Sequence, residues 1–211
     1  MARARIILLG KLPPPYIGPA IATQVLLSSD LKEDFELHHF DTTLNEKVDQ
    51  MGRFGWNKLM RSWRGYRKLY HLGRSTKADL ALVPVSQTTM GFLKDSLYIL
   101  ALRKAGVPVL IQLRGSQFRN WYESSSPITR RWVCFVLAKT EGVIVLGEKL
   151  RELFAPFFPP ERIYVSPNGA DFPALQNHTN SLFPELRVLY LSNYLPGKGF
   201  DTVLKAMALL K

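Results

Sequence analysis

The sequence predicts an α/β fold: a Rossmann-like parallel sheet covered by helices. Three observations carry that expectation. Short β-rich apolar runs alternate with longer segments of helical spacing. The alternation suits right-handed strand–helix–strand crossovers. One run, Val107–Leu113, is strongly apolar, as a strand buried on both faces would be. A mostly antiparallel α+β arrangement is the alternative open to the same runs.

Taken in order, Arg5–Leu9 reads as the first strand and Pro13–Pro19 as a turn-rich loop. Ala20–Leu31 has helical spacing, with Ile21, Val25 and Leu26 on one face, and Phe35–Phe40 is the second strand. Asp79–Val83 is the third strand, stopped by Pro84. Thr89–Lys104 is a helix whose apolar stripe is Leu93, Leu97, Leu100 and Ala101, ended by Ala105-Gly106. After the fourth strand, Val107–Leu113, a polar loop over Arg114–Pro127 leads to a helix over Thr129–Thr140. Gly142–Leu146 is the fifth strand, Glu148–Phe154 a short helix, and Arg162–Val165 the sixth strand.

Ala170–Glu185 is rich in Pro, Asn, Ser and Thr and has no sustained period, so it reads as a linker. The pattern restarts with a strand at Leu186–Leu191, a loop at Tyr194–Gly199 and a helix at Phe200–Leu210. These divide the chain into residues 1–185, a first domain with its linker, and 186–211, the opening of a second domain that is incomplete. The other arrangement adds the seventh strand to the first sheet.

The chain has 211 residues, 46% of them apolar, which suits a packed core and excludes a disordered chain. Its single cysteine, Cys134, forbids an internal disulfide or a thiolate metal cluster, and no His cluster suggests a metal. A reducing, cytoplasmic location fits. Cys134 lies in the apolar run Trp132–Leu137 and reads as a small buried hydrophobe rather than a reactive thiol. No apolar segment approaches the length that spans a bilayer.

Ligands of parallel α/β sheets collect beyond the carboxyl ends of the strands. The loop Gly10–Pro19 lacks the glycine spacing of a Walker or dinucleotide loop, yet Gly18 would let backbone approach an anion ahead of the first helix. A plain structural turn is the other reading. In Gln112–Tyr122, Arg114 and Arg119 offer donor forks for carboxylates or phosphates, and Gly115 and Ser116 allow a tight exit from the strand. Phe118, Trp121 and Tyr122 would line an apolar or sugar-stacking wall, or else cap the core. Asn168-Gly169 is a turn signal, followed by Asp171. In Ser192–Gly199, glycines flank Lys198 just before a helix, an arrangement that suits a phosphate or an ordinary surface turn. No residue stands out as a catalytic acid, base or nucleophile.

The net charge of +11 is concentrated: residues 51–78 hold eight Lys or Arg and no acid. Within them Gly55–Gly73 reads as a helix, with Trp56, Trp63, Tyr66 and Tyr70 at helical intervals and Lys58, Arg61, Arg64 and Lys68 beside them. Gly65 and Gly73 weaken that helix. Its Trp56, Arg61, Trp63, Arg64 and Lys68 suit a peripheral contact with an anionic membrane surface, against the alternative of ordinary packing with solvated cations. Nucleic acid is a poorer fit, because no known nucleic-acid module accompanies the basic residues.

In order and spacing, Val165-Ser166-Pro167-Asn168-Gly169-Ala170-Asp171 and Leu189–Phe200 resemble retaining glycosyltransferases of the two-domain GT-B class, family 4. The Pro14, Pro15 and Gly18 loop and Gly115-Ser116 agree with them. The resemblance spans the chain and implies the N-terminal half of a GT-B fold: an acceptor-side domain over 1–185 and a truncated donor-binding domain over 186–211. It implies transfer of a sugar from a nucleoside diphosphate sugar to an acceptor, with retention of configuration and without cofactor; the basic aromatic helix adds a glycan or lipid-linked acceptor and a peripheral place on the cytoplasmic face of the membrane. Lys198 would neutralise the diphosphate with Asn193 beside it, Gly18 would lie near the donor phosphates, and Gly115 would shape the sugar-facing loop. The family often has Arg where this chain has Asn193, and His where it has Arg114, which cannot act as a neutral imidazole. A noncatalytic nucleotide- or glycan-binding module is the alternative.

Overall fold

The computed structural model describes residues 3–14, 16–42, 56–169, 188–192 and 199–209, with only the backbone described for 56–63. Asp171, Asn193 and Lys198 lie outside the described residues, as do the side chains of Trp56, Arg61 and Trp63. The chain divides into two compact units, Met1–Gly169 and Ala170–Lys211.

The first unit is built on six parallel strands in the order β2-β1-β3-β4-β5-β6. They are β1 (Ala4–Gly10), β2 (Phe35–Asp41), β3 (Leu80–Val85), β4 (Val109–Leu113), β5 (Gly142–Val145) and β6 (Ile163–Val165). The helices between them are α1 (Gly18–Ser28), α2 (Leu31–Asp34), α3 (Trp56–Thr76), α4 (Thr89–Lys104), α5 (Phe118–Ser124) and α6 (Pro127–Leu137). A Rossmann-like α/β fold is thus what the alternation of runs encodes. The step from β1 to β2 runs one way along the sheet and all later steps run the other way. Right-handed crossovers therefore put α1 on one face and α3, α4 and α6 on the opposite face. The main core lies under the latter, where Ile7, Leu9, Ala81, Val83, Ile111 and Val143 meet Phe92, Tyr98, Ile99 and Leu102 of α4.

Several local expectations change. Pro84 lies inside β3, paired with Gln112, rather than ending the strand. Ala81 donates to Pro108 of the β4 side at 2.8 Å, so the alternate residues of β3 turn toward β1. The ladder to β1 covers only Leu80–Leu82, and the missing N–H of Pro84, just past it, forfeits no bond there. The loop after β4 contains α5, and Glu148–Leu153 forms a 3-10 turn rather than an α-helix. Along α4 only Ala101 of the expected stripe is buried: Leu93 is 42% exposed and Leu97 and Leu100 are half-buried, while Phe92, Tyr98, Ile99 and Leu102 join Ala101 inside. Apolar and polar residues are spread around that helix, so its period alone does not fix the buried face, and the sheet takes the one with Phe92 and Tyr98.

Gly65 and Gly73 form, with Leu69, the buried edge of α3. A Cβ at Gly73 would stand 2.9 Å from Ala105 Cβ and 3.2 Å from Val107 Cγ2, atoms held close to the backbone. Gly73→Leu is expected to lower stability by about 1–3 kcal/mol through overpacking, read as a fall in the urea midpoint. At the end of α4, Gly106 takes φ +85°, and Val107 N–H closes back on Leu102 O at 3.0 Å.

In the second unit, α7 (Phe200–Leu209) follows Gly199, whose φ of +85° favours glycine. The Tyr190 and Phe200 rings lie 6.1 Å apart. Residues 188–192 form no strand, although Leu186–Leu191 has strand composition. A strand needs a neighbouring ladder, and none runs beside 188–192 among the described residues.

Candidate functional site

Strand order reverses between β1 and β3, and in such sheets ligands bind beyond the carboxyl ends of the strands at that reversal. Gly10 ends β1 and lies directly beneath α1: a Cβ there would stand 2.7 Å from Thr23 Cγ2. Thr23 is buried, and its hydroxyl donates to Pro19 O at 2.9 Å within the first turns of α1. Gly18 opens that helix, is exposed, and has open space where a side chain would stand.

Arg114, just past β4, reaches back to α1. Its Nη1 donates to Pro19 O at 2.6 Å and to Thr23 Oγ1 at 3.1 Å, and its Nε donates to Gln112 Oε1 at 3.0 Å. Burial lowers the guanidinium pKa from its ordinary value. The three acceptors compensate for lost hydration. Arg114 therefore ties the end of β4 to the start of α1.

Arg119 does not join it. Its Nη2 donates to Glu152 O at 3.0 Å, and its Nε lies 4.0 Å from Glu123 Oε1, so it reaches the segment after β5 instead. Gly115 and Ser116 remain at the mouth, with Ser116 exposed. Gly115 is covered by Gln87: a Cβ there would stand 3.0 Å from Gln87 Cδ. Gln87 Oε1 also accepts from Gln117 N–H at 2.5 Å, which locks the β3 and β4 loops together. Asp95, buried in α4, accepts from Ser86 N–H at 2.8 Å and holds the β3 loop from below.

Thr23, Gln87 and Asp95 carry no motif, and sequence reasoning passed over them. Only Asp95, a lone carboxylate in an apolar helix, left a signal. Ser166–Gly169, after β6, is exposed and forms no turn, despite its Asn-Gly pair.

The aromatic wall belongs to the core. Phe118 is fully buried, its ring centroid 4.5 Å from Phe154 and 5.5 Å from Trp121, and Trp121 and Tyr122 pack partly buried against the same cluster. Position in the first turn of α5, after a tight exit from β4, turns Phe118 inward. Cys134 is exposed instead of buried, since α6 directs Val133, Val136 and Leu137 inward at helical spacing. Its Sγ lies 3.4 Å from the Tyr122 hydroxyl, and that hydrogen bond, with burial, raises the phenol pKa. Cys134→Ala is expected to bring the Tyr122 titration back down toward the ordinary phenol range, followed by phenolate absorbance.

No protein-family model matches the chain, and no curated protein matches it. Among solved structures it is similar to a protein described as a UDP-N-acetylglucosamine 2-epimerase from Listeria monocytogenes. That match has 17% identity and a TM-score of 0.52, over 78% of this chain and 44% of the other. The likeness is one of fold. It shows a Rossmann-like domain of GT-B type, and this chain spans less than half of that protein's length. The S. aureus MnaA–UDP co-structure matches at 14% identity and TM-score 0.49, covering 77% of this chain and 43% of that one. Acinetobacter baumannii MurG matches at 11% and 0.40, covering 80% and 47%.

On α3, the described cations Arg64, Arg67 and Lys68 are exposed, together with His71 and Arg74. Tyr66 and Tyr70 instead pack partly buried against the core. Among the described residues, no helix is long and apolar enough to cross a membrane.

Proposed function

We propose that this chain is the acceptor-side part of a sugar-nucleotide-dependent glycosyltransferase of the retaining family 4 kind. The observation that carries the reading is the β1/β3 reversal, where the open start of α1 at Gly18 is braced by Arg114. The Gly18 N–H and the positive end of α1 suit a phosphate of a nucleoside diphosphate sugar, although Pro19 has no N–H and Ala20 N–H already donates to Ile17 O at 2.9 Å. The protein of similar fold is described as acting on a UDP-sugar, which agrees with such a donor. Lys198, with Asn193 beside it, would offset charge on the departing diphosphate. Gly115 and Ser116 would border the sugar or acceptor. Arg119, held by Glu152 O, would shape that loop rather than grip a ligand. The acceptor is a glycan or lipid-linked, reached from the cytoplasmic face of an anionic membrane through Arg64 and Lys68, with Trp56, Arg61 and Trp63 on the same helix.

Radiolabelled sugar transfer by the full-length protein tests this. Lys198→Ala is expected to lower kcat by about 10²–10³-fold. Unchanged turnover with the productive donor would remove Lys198 from the site. Donor binding without transfer would favour a noncatalytic binding module, and conversion of UDP-N-acetylglucosamine at C2 without acceptor would favour an epimerase.

A further inference from the structure

The face of the sheet that carries α3, α4 and α6 has an unusual outer surface. Between Arg64 and Thr76 of α3, and throughout α4 and α6, there are nine Lys or Arg and a single acid, Asp95. Asp95 is buried, with its carboxylate accepting from Ser86 N–H. Arg103 pairs with Glu141 at 2.8 Å. The α3 cations stand exposed on one helical side, at Arg64, Arg67, Lys68 and Arg74. On α6, Arg131 is exposed, and Lys139, two residues past its end, has Nζ 4.6 Å from the Phe135 ring centroid.

Between these cationic flanks runs apolar surface. On α4, Met90 is 55% exposed and Leu93 42%, and Leu97 and Leu100 on the same side are only half-buried. On α6, Ile128 and Phe135 are also exposed, the latter stacked at 5.5 Å against Trp132. Packing against the sheet requires none of these, because α4 and α6 already bury other faces there. Anionic headgroups complement the flanks, and the apolar ridge reaches the acyl boundary.

We propose that the outer surface of the α3–α4–α6 layer is a membrane-docking face, in which the α4 and α6 apolar residues insert between cations of α3 and α6. It rests on the membrane reading of α3 and not on sugar transfer, whose assay with a water-soluble acceptor keeps its own outcome.

The test is flotation of the full chain with vesicles of phosphatidylcholine plus phosphatidylglycerol, against phosphatidylcholine alone. Binding is expected only to the anionic vesicles and to weaken with salt. Arg64→Glu with Arg67→Glu and Lys68→Glu should weaken it by about 100-fold, at about fivefold for each cation lost. Leu93→Ser with Arg131→Glu and Phe135→Ser, leaving α3 intact, should weaken it by about tenfold. Ile21→Ser with Val25→Ser, exposed on α1 across the sheet, is the control and should bind as wild type. Circular dichroism melts confirm that each variant is folded.

Loss in the α3 variant alone overturns the shared docking face and leaves the narrower α3 reading. Equal binding by all variants, or to both vesicle types, overturns both. Binding to an RNA oligonucleotide but not to vesicles overturns the proposal in favour of a nucleic-acid surface.

Discussion

Phe118→Ala is expected to lower the free energy of unfolding by about 3–5 kcal/mol, the largest effect of any single truncation considered. The ring is fully buried and meets Trp121, Tyr122, Phe154 and Phe157, with centroids between 4.5 and 6.3 Å. Four rigid aromatic neighbours cannot collapse into the void, so both the transfer and the cavity contributions fall on the mutant. Urea unfolding should show a lower midpoint at unchanged slope. Phe135→Ala, at an exposed position of α6, should stay within about 0.5 kcal/mol of wild type. Phe118 also anchors the first turn of α5, so the loop Arg114–Gln117 should lose hydrogen-exchange protection in the same variant.

Arg114→Met is expected to cost about 2–4 kcal/mol and to loosen the start of α1. It keeps an unbranched stem while deleting the donors to Pro19 O, Thr23 Oγ1 and Gln112 Oε1. Pro19 O retains the Thr23 hydroxyl, but the buried Gln112 loses its partner, and such an orphan costs about 1–3 kcal/mol. Arg114→Lys should rescue little, since one ammonium cannot reproduce the fork that reaches Gln112 and Pro19 together. Thr23→Val should cost about 1 kcal/mol alone, and the two changes should be non-additive by about 0.5–3 kcal/mol in a double-mutant cycle. Additive costs would show that Arg114 and Thr23 act separately. Faster exchange of the α1 amides in Arg114→Met would show that β4 steadies the helix carrying Gly18.

Much of the fold was legible because strands and crossover helices leave periodic marks. Arg5–Leu9, Phe35–Phe40 and Gly142–Leu146 each fall within a residue or so of their observed strands. The candidate site was legible only in part. Gly18, Arg114, Gly115 and Ser116 come to one edge of the sheet, as loop position suggests. Arg119, five residues after Arg114, reaches a different neighbour because it lies on α5, and a seven-residue helix is too short to show a period. Gln87 and Thr23 escaped notice because their partners are 30 and 91 residues away in the chain.

What the sequence alone determined is the alternation of strand and helix, and with it the parallel sheet and the loops at its carboxyl edge. Those follow from local hydrophobic period and turn chemistry, which need no distant partner. Tertiary structure alone decided which side of α4 meets the sheet, that Phe118 is core rather than ligand wall, and that Arg114 grips α1. Each is a choice among near-equal local options, made by packing and hydrogen bonding between segments far apart in the chain.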